Sequence, residues 1–398
     1  MSAEFLQPFW RLCEASVPEP TARLRDSGRP IVGYLCHYVP AEILLAAGAQ
    51  PLRLRGVGSE DSSAGDAFLS GRLCTYVRHV VSLALEGGFG PLGGVVCGNT
   101  CDHVRRAADV FRKKTEVPFV GFLSVPRSPR QDLFPYYRRE LARLYSGLCE
   151  ALCCQPSDEA LWEAIRRMDE VRVRLWRLKE LRLGARPKLT GADALAVHIL
   201  AQTVPPEDFV ALADPLIAAL EASPGLEPPR AKVVLIGAEL DEPAYVRLIE
   251  GQGAFVAADR LCFGARSVLP PFGKEPTPGG ASRGDPLDAI ARAYFFRPSC
   301  ARMIGDFPAR HEALLALCRE AEAEGVIFER LMFCDPWGAD QHNLGQRARE
   351  EGALPVLFLT REYGIVPTGQ LRTRVQAFVE RIEIQRARRG MAWGAVRP

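Results

Sequence analysis

The chain has 398 residues, 47% hydrophobic and 25% charged, and its 50 basic against 48 acidic side chains give a formal net charge of +2. That balance offers no basic stripe for nucleic acid, which is excluded as a partner, and the run Arg386–Gly390 reads as a solvated helix end. No apolar run reaches membrane-span length and the N-terminus lacks a secretory pattern, so a cytoplasmic setting without membrane attachment is expected, where twelve cysteines point to metal, catalysis or packing rather than disulfides.

In chain order, the apolar runs Ile31–Leu35, Pro51–Leu54, Gly94–Val96 and Pro118–Leu123 are short, continuous and separated by helical patterns, as strands of a parallel sheet buried on both faces would be. From about Leu133 to Leu220 strand signals are few and 3.6-residue periodicity dominates, most clearly over Ala160–Leu183, which predicts a helical region. Ser223–Arg230, rich in proline and glycine, reads as a linker. The strand rhythm then returns at Ala231–Gly237, Ala254–Ala258, Gly325–Phe333 and Leu354–Leu359. The irregular stretch Pro270–Pro286 reads either as a cover over a substrate or as a surface insertion. Both halves carry a strand, a Cys-Asp pair (Cys101-Asp102, Cys334-Asp335), a helix and a strand marked Val-Pro-Phe or Leu-Pro-Val, a weak internal repeat. The expected fold is α/β with two doubly wound parallel-sheet domains and an additional helical region, divided as 1–132, 133–222 and 223–398.

Six cysteines, Cys36, Cys74, Cys101, Cys262, Cys300 and Cys334, fall in separate segments that read as strand exits or helix starts. Strand ends of such folds face the ligand crevice, and soft sulfur donors select iron–sulfur clusters, zinc or copper, so redox chemistry is the expectation. Cys101 and Cys334 are the strongest positions because the two halves repeat the arrangement, and the partial positive charge of a helix N-terminus is expected to lower the Cys101 pKa. Cys74 lies in the first turn of an amphipathic helix. Cys13, Cys97, Cys149, Cys153, Cys154 and Cys318 read as packing residues.

The segments Gly33–Leu54 (GYLCHYVPAEILLAAGAQPLRL), GRLCTYVRHVVSLAL, GNTCDHVRR, ADRLCFGAR, FERLMFCDPWGADQHNL and GQLRTRVQAFVERI resemble, in order, the successive motifs of the 2-hydroxyacyl-CoA dehydratase superfamily, which includes the iron–sulfur subunits of ATP-dependent benzoyl-CoA reductases. The resemblance implies two flavodoxin-like domains and a 4Fe-4S cluster on cysteines matching Cys74, Cys101 and Cys334. It also implies a homodimer or a heterodimer with a related subunit, an ATP-hydrolysing iron–sulfur activator as electron donor, and an acyl-CoA substrate that is dehydrated or reduced by single electrons. The chain departs from that pattern in also filling Cys36, Cys262 and Cys300. A similar branch of the superfamily holds a double-cubane 8Fe-9S cluster and reduces small molecules without coenzyme A, so these three are either ligands of a second cube or neighbours of a single cluster.

His37 and Glu42 follow Cys36 and are candidates for moving protons, His37 equally for a hydrogen bond that tunes the cluster. His103 at a helix start is expected to point away or bond backbone, and Arg372 and Arg374 are candidates for an anion or for structural ion pairs. A non-catalytic electron-transfer subunit is the remaining alternative.

Overall fold

The computed structural model describes residues 2–14, 28–184, 186–272, 284–351, 354–364 and 368–394. The apolar runs form two four-stranded parallel sheets. Strands β1 (Ile31–Leu35), β2 (Gln50–Arg53), β3 (Gly94–Gly98) and β4 (Val120–Leu123) are ordered β2-β1-β3-β4, while β5 (Ala231–Gly237), β6 (Ala254–Arg260), β7 (Gly325–Leu331) and β8 (Val356–Arg361) are ordered β6-β5-β7-β8. Successive side chains of a strand point to opposite faces, and here both faces are apolar. Ile31, Leu35 and Val95 enter one core while Val32, Tyr34 and Val96 enter another; Val233, Leu235 and Ile327 likewise part from Val234, Val326 and Phe328. Each sheet with its helices is a flavodoxin-like doubly wound α/β unit, as expected.

The helices are α1 (Ser2–Glu14), α2 (Ala41–Ala46), α3 (Ser63–Asp66), α4 (Thr75–Leu85), α5 (Asp102–Lys114), α6 (Phe134–Ala151), α7 (Asp158–Arg182), α8 (Gly191–Leu200), α9 (Pro206–Glu221), α10 (Pro243–Glu250), α11 (Pro286–Phe295), α12 (Phe307–Glu320), α13 (Asp335–Glu351) and α14 (Thr368–Gly394). The predicted helical region is α6 to α9, and its longest member ties the two sheets together. Ser157 caps α7 by accepting the Ala160 N–H at 3.3 Å. Farther along, Arg172 pairs with Glu42 of the first lobe, and at the far end Arg182 pairs with Asp259 of the second at 2.8 Å. Residues 273–283, most of the predicted irregular stretch, lie outside the described residues.

The strand order reverses beside β1 and beside β5, which opens a crevice at the carboxyl ends of each sheet. Those ends face each other. Arg53, closing β2, donates to Glu239 after β5 at 3.0 Å; Arg55 donates to Asp241 at 3.2 Å; and Tyr363, after β8, receives the Gly56 N–H at 3.0 Å. No described helix is long and apolar enough to cross a membrane.

Candidate functional site

Cys74, Cys101 and Cys334 each stand immediately before a helix, α4, α5 and α13, so three helix N-termini meet around them. Cys74 is therefore a capping residue rather than the first-turn residue expected. The three are within Coulombic reach of one another: a Cys74 thiolate raises the pKa of Cys101, and Cys74 and Cys101 raise that of Cys334. Burial pushes the Cys74 and Cys101 thiols up to about 12 and Cys334 well above its ordinary value. The Tyr76 and Val77 amides at Cys74, the His103 and Val104 amides at Cys101 and the Trp337 amide at Cys334 favour the thiolates. The expected lowering of the Cys101 pKa is thus overturned, because desolvation outweighs the helix terminus. Such thiols stay protonated until a soft cation displaces the proton.

The other three cysteines form a second trio. Cys36 leaves β1 at a φ of 81°, a left-handed conformation costly for any residue but glycine. Cys262 sits in the turn after β6, and Cys300 follows α11, where its Sγ receives the Arg302 N–H at 3.4 Å. Burial raises the Cys36 and Cys262 thiols, with Cys300 adding to both and Cys36 adding to Cys262. A Cys36 thiolate also acts on Cys101, which joins the two trios. Among the described residues no three His, Cys, Asp or Glu side chains converge on one ion-sized point.

Glu239 stands between the trios, and its charge raises Cys36, Cys74, Cys262 and Cys334 alike. Burial pushes its own carboxyl up, and Arg53, donating to both oxygens at 3.0 and 3.1 Å, opposes this. This residue escaped the sequence reading; its signal is an acidic run, GAELDE, leaving a buried strand at a reversal of strand order.

Of the predicted polar residues, His37 follows Cys36 and borders a small cavity with Tyr34, Gln50 and Tyr294. Its ring is buried, neither nitrogen has a partner among the described residues, and burial, then Arg297, Arg266, Arg53 and Arg302, hold its pKa well below the ordinary histidine value. Glu42 points elsewhere: one oxygen pairs with Arg172 and the other accepts the Tyr294 hydroxyl at 3.0 Å. His103 faces inward and accepts the Cys74 N–H, while Arg372 and Arg374 lie exposed on α14. Cys97 and Cys149 are buried in apolar cores, and Cys13 donates to the Ala196 carbonyl at 3.3 Å.

The family model described as 2-hydroxyglutaryl-CoA dehydratase, D-component, matches residues 36–382. A benzoyl-CoA reductase subunit of Thauera aromatica is 25% identical over 331 residues, covering 82% of this chain and 84% of that protein. An Escherichia coli protein named as a dehydratase subunit is 26% identical over 375 residues, 90% of this chain and 92% of that protein. The beta subunit of (R)-2-hydroxyglutaryl-CoA dehydratase of Acidaminococcus fermentans is 22% identical over 378 residues, 92% and 96% of the respective chains. With its motifs matched from the first crevice cysteine to the last helix, the chain belongs to the 2-hydroxyglutaryl-CoA dehydratase D-component family and is an enzyme of this dehydratase and reductase group or a subunit of one.

Proposed function

We propose that the chain is the cluster-bearing subunit of a low-potential reductase or dehydratase acting on an acyl-CoA thioester, with a 4Fe-4S cluster on Cys74, Cys101 and Cys334. The observation that carries this reading is the meeting of three thiols, Cys74 buried and Cys101 and Cys334 half-buried, at three helix N-termini, with backbone amides favouring each thiolate. Soft sulfur donors suit a multi-iron sulfide core, and the helix termini would offset its negative charge. Such a cluster, when bound, supplies single electrons of low potential.

The chain's own residues would then bind and orient. Glu239, half-buried and in the field of both trios, is the carboxyl best situated to hold a proton. Glu42 is a structural ion-pair partner in this reading, because both its oxygens are engaged. His37 is proposed as a neutral hydrogen-bonding group beside Cys36. Relatives that are themselves named as subunits of larger enzymes support a partner subunit, and an ATP-hydrolysing activator is proposed as the electron source.

A second reading is favoured by one specific observation, the mutual proximity of Cys36, Cys262 and Cys300. Two trios would serve two cubes of a double-cubane cluster, and the enzyme would then reduce small molecules without coenzyme A. Iron and acid-labile sulfide per chain, measured on protein purified without oxygen, test both readings. About four irons support the first and about eight the second. Full iron retention in both Cys101→Ala and Cys334→Ala overturns the ligand assignment.

A further inference from the structure

Buried arginines in this protein normally meet a carboxylate: Arg53 meets Glu239, Arg55 Asp241, Arg172 Glu42, Arg182 Asp259 and Arg361 Glu329. Among the described residues Arg266, Arg297 and Arg302 do not, and Arg302, bonded to four carbonyls, lies outside the cavity that the other two border. Arg266 donates to the carbonyls of Ser299 at 3.1 Å and Arg260 at 2.8 Å; Arg297 donates to those of His37 at 3.0 Å and Arg266. Carbonyls orient a guanidinium without neutralising it, and the Nε of Arg266 and that of Arg297 are buried with no partner among the described residues. The adjacent Arg260 guanidinium makes no hydrogen bond or ion pair among the described residues. A guanidinium rarely loses its proton, so the more economical remedy for three crowded cations is an anion among them.

The cavity beside them has the matching shape and polarity. It has a volume of about 440 Å³ and lies between α7 and α12, with Leu175, Trp176, Val197 and Leu317 on its walls and Arg260, Arg266 and Arg297 at one end. Five basic side chains border it, Lys179, Arg182 and these three, against two carboxylates, Asp259 and Glu320. Both carboxylates are already engaged, by Arg182 and Lys179. The arginine end abuts the second trio: Arg297 and Arg302 flank the Tyr38 ring at 5.7 Å, and Tyr38 lies in the field of Cys36 and Cys300. The thiolates of that trio would offset part of the charge. Arg260 and Arg297, however, also border a second cavity of about 280 Å³, so the cations can be reached from outside the cysteine crevice.

We propose that this cavity is a binding site for an organic oxyanion, its carboxylate or phosphate head held by Arg260, Arg266 and Arg297 beside the second cysteine trio and its apolar body along α7 and α12. The site goes beyond the proposed cluster chemistry and stands without it. It brings an anionic group, rather than an uncharged thioester, to the trio of Cys36, Cys262 and Cys300.

The test is calorimetric titration of the full chain at fixed ionic strength with hexanoate, hexyl phosphate and hexanamide. At least one of the two anions is expected to bind at least about tenfold more tightly than the isosteric neutral amide, and which one binds better distinguishes a carboxylate from a phosphate ligand. Arg260→Gln removes a charge without removing a hydrogen bond and is expected to weaken the anion about tenfold, whereas Arg260→Lys stays within about threefold of the parent. Equal binding of anion and amide, no binding of any probe, or an unchanged affinity in R260Q overturns the proposal. Iron per chain in R260Q is expected to equal that of the parent, which shows that the variant folds. Absence of iron from both would instead overturn the proposed function and leave the anion site standing.

Discussion

The imidazole of His103 accepts the backbone N–H of Cys74 at Nδ1 over 3.1 Å, linking the first turns of two helices 29 residues apart in sequence. Its Nε2 lies 3.8 Å from the carboxylate of Asp335. One ring thus touches the loops of all three cysteines in the first trio. Accepting at Nδ1 places the proton of the neutral ring on Nε2, where it faces Asp335. His103→Ala should leave the fold intact while letting the loops drift, so that a chelator strips iron about tenfold faster. His103→Asn, whose side-chain oxygen can replace Nδ1, should recover most of the difference. Equal stripping rates for parent and H103A would remove His103 from any positioning role.

Cys36 tests whether backbone strain is retained for the sake of a sulfur. Its φ of 81° suits glycine, so metal-free Cys36→Gly should be more stable than metal-free Cys36→Ala by about 1 kcal/mol. Under anaerobic purification both should lose iron to the same extent, from about eight to about four per chain where each trio holds a cube. Denaturant midpoints and iron analysis on the same two variants separate the effects. Unchanged iron in both would make Cys36 a cluster neighbour only.

The strands were legible because burial on both faces leaves an unbroken apolar run, and Ile31–Leu35 and Ala231–Gly237 lie where their composition places them. The placement of Cys101 and Cys334 directly before helices was legible because the repeat of a Cys-Asp pair before a helix is a local signal. Glu239 and the Arg260, Arg266 and Arg297 cluster were not, since their meaning depends on partners far along the chain. Arg297 reaches the His37 carbonyl across 260 positions, and Arg53 reaches Glu239 across 186. Glu42 misled for a related reason. Nearness to Cys36 in sequence suggested the crevice, but α2 turns the side chain toward α7.

The Glu42–Arg172 pair lends itself to a direct stability measurement. The Glu42 side chain is fully buried and that of Arg172 nearly so, with Asp169 a second partner of the guanidinium at 2.9 Å. Removing Glu42 leaves Arg172 with Asp169 as its remaining carboxylate and the Tyr294 hydroxyl without its acceptor, so Glu42→Ala should cost about 1–3 kcal/mol in guanidinium chloride unfolding. The double variant Glu42→Leu, Arg172→Met should cost much less than the sum of its single changes. Preservation of iron content in the double variant would agree with a purely structural role. Loss of activity at full stability and full iron would restore Glu42 as a proton-transfer candidate.

Asp259 carries a pH dependence whose sign follows from its surroundings. Burial alone would raise its carboxyl, but Arg182, His198 and the Ala265 amide more than offset this and hold it below the ordinary carboxylate value. The same carboxylate accepts the Leu261 N–H at 3.3 Å and the Ala265 N–H at 2.8 Å, closing the turn that presents Cys262. A depressed native pKa lends stability that is fully present above the unfolded value of about 3.9 and is lost as pH falls through the native value. Asp259→Asn should therefore lower stability at neutral pH and flatten its decline between about pH 5 and about pH 2, read from denaturant midpoints across that range. Gly264 supplies an independent perturbation, since a Cβ there would sit 2.1 Å from Asp259 Oδ1. Gly264→Ala must push the carboxylate away from Ala265, so it should shift the acid limb in the same direction and loosen the turn around Cys262. Parallel acid limbs in parent, D259N and G264A would mean that other carboxylates control acid unfolding and that the Cys262 turn does not depend on this one.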